Sequence, residues 1–437
     1  NFGAVANQNL HSMQAVDFII VTHPDFQTQA QELADLHSTF DSLSYLIVNP
    51  QQIYNEFSSG MQDVTAIRDF VRMIYSRALS QTDLPRYLLL YGDGSYDNKH
   101  RLPSNSNFIP TFQNLNSLTP TESYVSDQYF TLLDDAGGWD NGSDVGAMDI
   151  GVGRFPVRSG YEAQVMVDKV RQYMTRQMPV SNVAVCTTDR CSNGGEWKNW
   201  IAFIGDDEDS DIHMSQANQL ATFVDTTYDN FNIDKIYLDA YQQQQTPGGE
   251  RYPDVNAAID KRQALGSLIL NYTGHGGEVG WAHERILEVS QVNGWTNSCN
   301  MPLFVTATCE FSRYDDPFRT SAGEYVLLNS AGGGIGLLTT VRLVYSTPNF
   351  VLNQNFYECA FEKVNGEMPR LGDLYRITQV SSGNNTNNRN FTLLGDPALR
   401  LNYPINSVAT AEVNHVVITS QPDTLRALSF VTIKGFV

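Results

Sequence analysis

The sequence predicts an α/β protein: two doubly wound, largely parallel-sheet subdomains over residues 1–180 and 181–403, then the start of a β-sandwich domain over 404–437. Three observations carry this. Apolar runs of strand length alternate with amphipathic helical stretches, the pattern of a largely parallel sheet. That alternation runs to residue 175 and restarts near residue 199. The closing stretch "NHVVITSQPDTLRALSFVTIKGFV" (414–437) shows only β-type patterning after a proline.

In the first half, "DFIIVT" (17–22) reads as a strand and residues 26–38 as a helix. "VTAIRDFVRMIYSRAL" (64–79) is helical by period, with Ile67, Phe70, Val71 and Ile74 on one face. "YLLLYGDGS" (87–95) is a buried strand ending in a Gly-Asp turn. An acidic loop (132–144) leads to "MDIGVGRFPV" (148–157) and a helix over 161–175. In the second half, residues 200–204 form a strand that runs into the acids of "GDDEDSD", followed by a helix over 212–226. Strands follow at 235–240, 267–272, 302–307 and 334–340, with helices over 254–264 and 348–363.

The chain has 437 residues, 41% of them hydrophobic, enough for more than one core. Its formal charge of −20 argues against a nucleic-acid partner, whose phosphates need Lys and Arg. No apolar run approaches the roughly 18 residues of a membrane helix. A start at Asn1 is expected of a processed or excised piece. Five cysteines fit no zinc pattern; Cys186 and Cys191 are close enough to close a small loop, and an odd count leaves a thiol free.

The chemistry gathers beyond the carboxyl ends of the second-half strands, where open α/β sheets bind ligands. One strand ends in Asp206 and Asp207, the next in "LILNYTGHGG" at His275, and a third in "FVTATCEFS" at Cys309. The 34 residues between His275 and Cys309 allow one crossover, so both can sit at one rim. An imidazole beside a thiol raises the thiolate fraction and later protonates a leaving amine. Gly276, with no side chain in the way, and Cys309 itself offer backbone N–H groups for an oxyanion. Asp207 is taken as the acid orienting His275, with Asp206 and Glu208 as open alternatives. His283 lies eight residues past His275 and is the decoy histidine. No G-x-x-x-x-G-K-[ST] and no G-x-S-x-G occurs, which leaves phosphate cradles and serine hydrolases unsupported.

"NYTGHGGEVGW" followed by "FVTATCEFS" resembles the gingipain-type cysteine peptidases of family C25, clan CD. "YLLLYGDGSYD", "SDQYF", "IGVGRFPV" and "LLGDPALRL" (393–401), the last read as the final strand, extend the likeness over nearly the whole chain. The resemblance implies a caspase/gingipain-like fold and assigns His275 and Cys309 to the dyad, with Gly276 and Cys309 as the oxyanion hole. It places Asp211 near a family acid that recognises a basic side chain, and Trp281 among substrate-binding residues. It requires no cofactor for chemistry but implies structural Ca²⁺. Asp134, Asp135, Asp140 and Asp144 offer oxygens for that ion, or form a solvated acidic turn. "DPFRTSAGEYVLLNSAGGGIGLLTTVRLVYS" (316–346) and "DTLRALSFVTIKG" are most similar to the type IX secretion sortase branch. That branch implies a cell-surface, outer-membrane-associated peptidase. It would remove the C-terminal signal domain of exported cargo and pass the cargo to an anionic lipopolysaccharide acceptor, held by type IX secretion partners. The rival readings are a broad-specificity secreted gingipain-like protease and a non-catalytic surface scaffold of the same fold.

Overall fold

The computed structural model describes residues 7–116, 118–133, 146–175, 195–404, 409–419 and 424–436. It divides into a unit over Asn1–Asn402 and a second over Tyr403–Val437. The ten strands of the first unit's main sheet are β1 (Phe18–Thr22), β2 (Tyr45–Val48), β3 (Tyr87–Tyr91), β4 (Gly151–Phe155), β5 (Trp200–Gly205), β6 (Asn232–Tyr237), β7 (Ile269–Thr273), β8 (Leu303–Ala307), β9 (Gly336–Thr340) and β10 (Phe391–Leu394). Their order across the sheet is β2-β1-β3-β4-β10-β9-β8-β7-β5-β6. The α/β fold class is as the sequence predicts, and the two halves are wings of this one sheet. The boundary expected near residue 180 lies outside the described residues.

β1, β3, β4, β7, β8 and β9 are buried along their whole length. Uninterrupted apolar runs such as "YLLLY" suit strands covered on both faces, where alternation would leave polar groups inside. Pairing within each wing is parallel, and β10 enters antiparallel to β9, touching β4 through the single pair Leu394–Arg154. The helix over Val64–Ser76 buries Ile67, Phe70, Val71 and Ile74 as its period requires, and Asp63 caps it by accepting from the Thr65 N–H at 2.8 Å.

Five elements differ from the sequence reading. Residues 45–57 form β2 and a helix (Pro50–Phe57) closed by an Asn49/Gln52 capping box. β6 starts at Asn232, and Leu238–Ala240 is a 3-10 turn instead of its end. β10 covers Phe391–Leu394, not 393–401, because Gly395 takes φ 153° and Pro397 removes a ladder donor. A helix over Leu371–Ser382 is also additional.

The second unit is a small antiparallel sheet of Ala409–Val413, Val416–Val417 and Ile433–Phe436. Among the described residues, no helix is long and apolar enough to cross a membrane.

Candidate active site

The site grows from three neighbouring strand ends. β7 lies between β5 and β8, and its last residue, Thr273, pairs with Gly205 on one side and Ala307 on the other. His275 and Cys309 each follow two residues beyond such a paired end, so register alone brings them to one rim. Asp206 to Asp209 follow the β5 end on the far side of His275.

The glycines around the histidine have separate tasks. A Cβ on Gly274 would overlap Asp206, whose Oδ2 accepts the His275 backbone N–H at 2.7 Å. The His275 carbonyl accepts from Tyr272 Oη at 2.5 Å and from the Ala282 N–H at 2.8 Å. The histidine is thus clamped by its backbone, leaving its ring half-exposed, at 35%. A Cβ on Gly276 would stand 2.6 Å from Thr308 Oγ1, so this glycine lets the hairpin lie against the residue before Cys309.

Gly276 also has a backbone N–H that the hairpin does not use. It pairs with Trp281 in the short hairpin, where the Ala282 N–H donates to the His275 carbonyl. That bond flanks the pair, so Gly276 is a non-hydrogen-bonded member and its N–H points away from the hairpin. Among the described residues the Cys309 N–H donates to no protein acceptor. The chain turns sharply there, with Glu310 left-handed at φ 50° and its N–H on the Arg342 carbonyl at 3.2 Å. Two N–H groups are therefore left for an oxyanion.

Among the described residues no hydrogen bond joins His275 to Cys309. The thiol donates to the Val344 carbonyl at 3.5 Å. Burial pushes that thiol above its ordinary pKa, and the Glu310 carboxylate adds to the effect. His275 Nε2 instead meets Asp209 Oδ2 at 3.0 Å.

This corrects the acid expected beside the His275 ring. Asp207 does not reach His275; its Oδ2 accepts from Tyr252 Oη at 2.5 Å. Asp206 acts on the histidine's backbone, and the ring's partner is Asp209, which the sequence reading passed over. Asp209, Ser210 and Asp211 are all left-handed, at φ 55°, 60° and 64°, and this tight curl faces Asp209 back toward β7. The only signal in the sequence was D-x-x-x-H, Asp209 to His213, at the entry of the helix Ile212–Thr227.

Two further expectations meet the structure differently. Asp211 is exposed at the start of that helix, outside the cavity beside His275, and caps nothing. Trp281 borders that cavity by position, but its side chain is fully buried, stacked on Tyr272 at 4.4 Å and packed against Phe311. Its ring is closed to solvent and packs into the core. The cavity, of about 660 Å³, is lined by His275, Gly276, Gly277, Val279 and His283 among others. His283 stacks on His275 at 5.2 Å and is itself exposed. A cavity of about 700 Å³ around Trp197, Asp260 and Trp295 lies near residues that precede β8, away from this rim.

Asp206, Asp207 and Glu284 bring carboxylate oxygens within 4.8 Å of one another. Asp207 Oδ1 and Glu284 Oε2 are buried there without a hydrogen-bond partner. Such hard, under-satisfied oxygens suit Ca²⁺. The acids expected to bind it, Asp134 to Asp144, lie outside the described residues, as do Cys186 and Cys191. Cys299 is disulfide-bonded, whereas Cys309 and Cys359 are free thiols.

Residues 11–402 match the sequence model of peptidase family C25. The chain belongs to peptidase family C25. Among solved structures, gingipain R (RgpB), an Arg-specific cysteine proteinase, is 18% identical with a TM-score of 0.64, over 92% of this chain and 83% of that one. Dimeric latent PorU from Porphyromonas gingivalis is 25% identical with a TM-score of 0.50, over 99% of this chain. The chain spans 34% of that PorU chain. No curated protein matches significantly. The C25 membership makes the chain a cysteine peptidase by family, on the gingipain-like fold its motifs predict.

Proposed function

We propose that this C25 chain is the catalytic part of an endopeptidase and transpeptidase that trims type IX secretion cargo. His275 and Cys309 are its dyad, Gly276 and Cys309 its oxyanion hole, and Asp209 its orienting acid. The observation that carries the reading is the shared register of β7 and β8, which delivers imidazole and thiol to one rim beside two uncommitted N–H groups. As cargo binds, His275 takes the Cys309 proton and the sulfur attacks the carbonyl before the signal domain. The carbonyl oxygen draws on the two N–H groups. The C–N bond breaks, His275 returns the proton to the leaving amine, and a thioester remains on Cys309. An amine carried by an anionic lipopolysaccharide then attacks the thioester. It forms a new amide, and its proton goes to restore the thiol.

The likeness to PorU supports this cargo over general protein substrates. The disulfide at Cys299 supports an oxidising exterior, in keeping with a cell-surface site beside outer-membrane secretion partners. Intact-mass spectrometry of cargo carrying its signal domain tests the reading. One cut at a single junction, absent with Cys309→Ala, supports it, and a mass gain from an added amine donor shows transfer. Digestion of casein at many sites would favour a degradative protease instead. Unmodified cargo, with a thiol that resists alkylation, would favour a scaffold.

Asp206, Asp207 and Glu284 are the residues proposed to hold a structural Ca²⁺, which would neutralise their crowded charge behind the His275 clamp. Chelation is then expected to lower the melting temperature of the chain by several degrees, and Glu284→Gln to remove most of that response. A melting temperature indifferent to chelator would reject the site.

A further inference from the structure

Beside the dyad stands a histidine that peptide cleavage does not need. His213 enters the site from the first turn of the helix Ile212–Thr227, with its ring edge-on to His275 at 5.0 Å. It is only 5% exposed, yet neither of its ring nitrogens has a hydrogen-bond partner among the described residues. A buried polar group left this way costs free energy unless something else meets it. Its Nε2 stands 3.5 Å from Asp209 Oδ2, and that oxygen stands 3.0 Å from His275 Nε2. One ligand atom from each of the three residues lies within 4.8 Å of the others.

We propose that Asp209, His213 and His275 form an inhibitory zinc site. Two imidazoles and one carboxylate are the donors Zn²⁺ favours, and three protein ligands leave a fourth position open to water. Ligand atoms around a tetrahedral zinc lie about 3.3 Å apart, as bonds of roughly 2.0 Å require. The separations of 3.0 Å and 3.5 Å already approach that figure. Asp209 lies in the left-handed curl and His213 in the helix it leads into, and their ligand atoms already stand 3.5 Å apart, so little rearrangement precedes binding. Asp209 then exchanges its bond to the imidazole for one to the metal. His275, with Nε2 committed to zinc, is held away from proton transfer with Cys309. The inhibitory half of this inference rests on the role proposed for His275, whereas the binding half does not. The site leaves Cys309 free, which separates it from the direct capture of a catalytic thiol by metal.

The test is a calorimetric Zn²⁺ titration of the whole chain in excess Ca²⁺, with Co²⁺ absorption reporting ligand geometry. One ion per chain is expected, weakened at least about tenfold in Asp209→Asn and in His213→Asn. Affinity is expected to be unchanged in Cys309→Ala. Asp209 is exposed, so its variant serves even where loss of the buried His213 lowers the melting temperature. Equal affinity in wild type and Asp209→Asn, or loss of binding in Cys309→Ala, overturns the site. Cargo cleavage in the same samples should stop with zinc, return with chelator, and need at least about tenfold more zinc in His213→Asn. Cleavage that continues with the three ligands occupied overturns the switch. Zinc binding as expected in a chain that cuts no cargo under any condition leaves the site standing, and it is the peptidase reading that fails.

Discussion

β3 and β5 both run into a Gly-Asp pair, Gly92-Asp93 just past β3 and Gly205-Asp206 at the end of β5, and both aspartates are fully buried. Their surroundings differ. Asp93 accepts from Arg158 Nε at 2.6 Å, and that guanidinium also reaches Glu324 at 3.2 Å. Beneath it Arg154, fully buried, pairs with Asp127 at 2.7 Å, donates to the carbonyls of Gly92, Ile109 and Pro110, and lies over the Tyr314 ring. The first wing's rim is therefore sealed by arginines. Among the described residues Asp206 has no such cation; it holds the backbone of His275, and the rim above it stays open around a half-exposed imidazole and thiol. The same strand-end pair serves packing in one wing and the candidate reactive site in the other. What decides is the group that fills the space above the strands.

That contrast can be broken from either side. The largest effect is expected at the open rim, where Cys309→Ala should lower cleavage by at least about 10³-fold while leaving the thermal midpoint near its original value. Among the described residues the Cys309 sulfur makes one hydrogen bond, a long one of 3.5 Å, so there is little hydrogen-bond energy to lose. At the sealed rim the outcome should invert. Arg154→Met leaves Asp127 buried without its cation, a change that costs about 3–5 kcal/mol. Urea unfolding should show the loss directly. An unchanged midpoint would mean that the sealed rim contributes nothing to stability.

A third Gly-Asp turn, Gly395-Asp396 after β10, sharpens the comparison with pH. Asp396 is also fully buried, and it meets His37 Nε2 at 2.7 Å while Asp41 holds the other ring nitrogen at 2.7 Å. Burial alone would push this imidazole down, but Asp396 and Asp41 together outweigh it and raise the pKa to about 9. The unfolded value is near 6.5, so the stabilisation is complete below about pH 6.5 and disappears as pH rises through about 9. A shift of this size corresponds to about 3 kcal/mol. The melting temperature should fall between pH 7 and pH 10, and His37→Gln should flatten that slope. A wild-type profile that is flat across this range would show the ring to be neutral.

The parts of this arrangement legible in sequence are those carried by local pattern. The apolar runs of β7 and β8 and the glycines beside His275 announce two strand ends aimed at one rim, and the family motif proposes His275 and Cys309 as the dyad. What was not legible depends on partners far away in sequence. Asp207 and Asp209 look interchangeable until the chain curls left-handed and Tyr252, 45 residues on, claims the first. Trp281 reads as a rim aromatic until Tyr272 is seen stacked on it. β2 is half-buried and short, so its apolar run carries no alternation to recognise. The three Gly-Asp turns are identical as text and differ only in which cation, ring or backbone group meets the carboxylate.

Asp206→Ala separates the two uses of that turn. The substitution removes the acceptor for the His275 N–H and leaves the clamp through Tyr272 and Ala282 in place. The imidazole should therefore stay near its position but lose its fixed orientation. Misplacement of a reacting group by around 1 Å costs about 10²-fold in rate, so kcat should fall by about that factor while KM changes little. The freed N–H also stays inside the protein, at a cost of about 1–3 kcal/mol that a melt would register. In Asp93→Ala, by contrast, the damage should fall on stability first, because Asp93 holds an arginine and not the histidine. If Asp206→Ala lost stability with kcat intact, the open rim would be another packing device, and the position of His275 would owe nothing to the carboxylate beneath it.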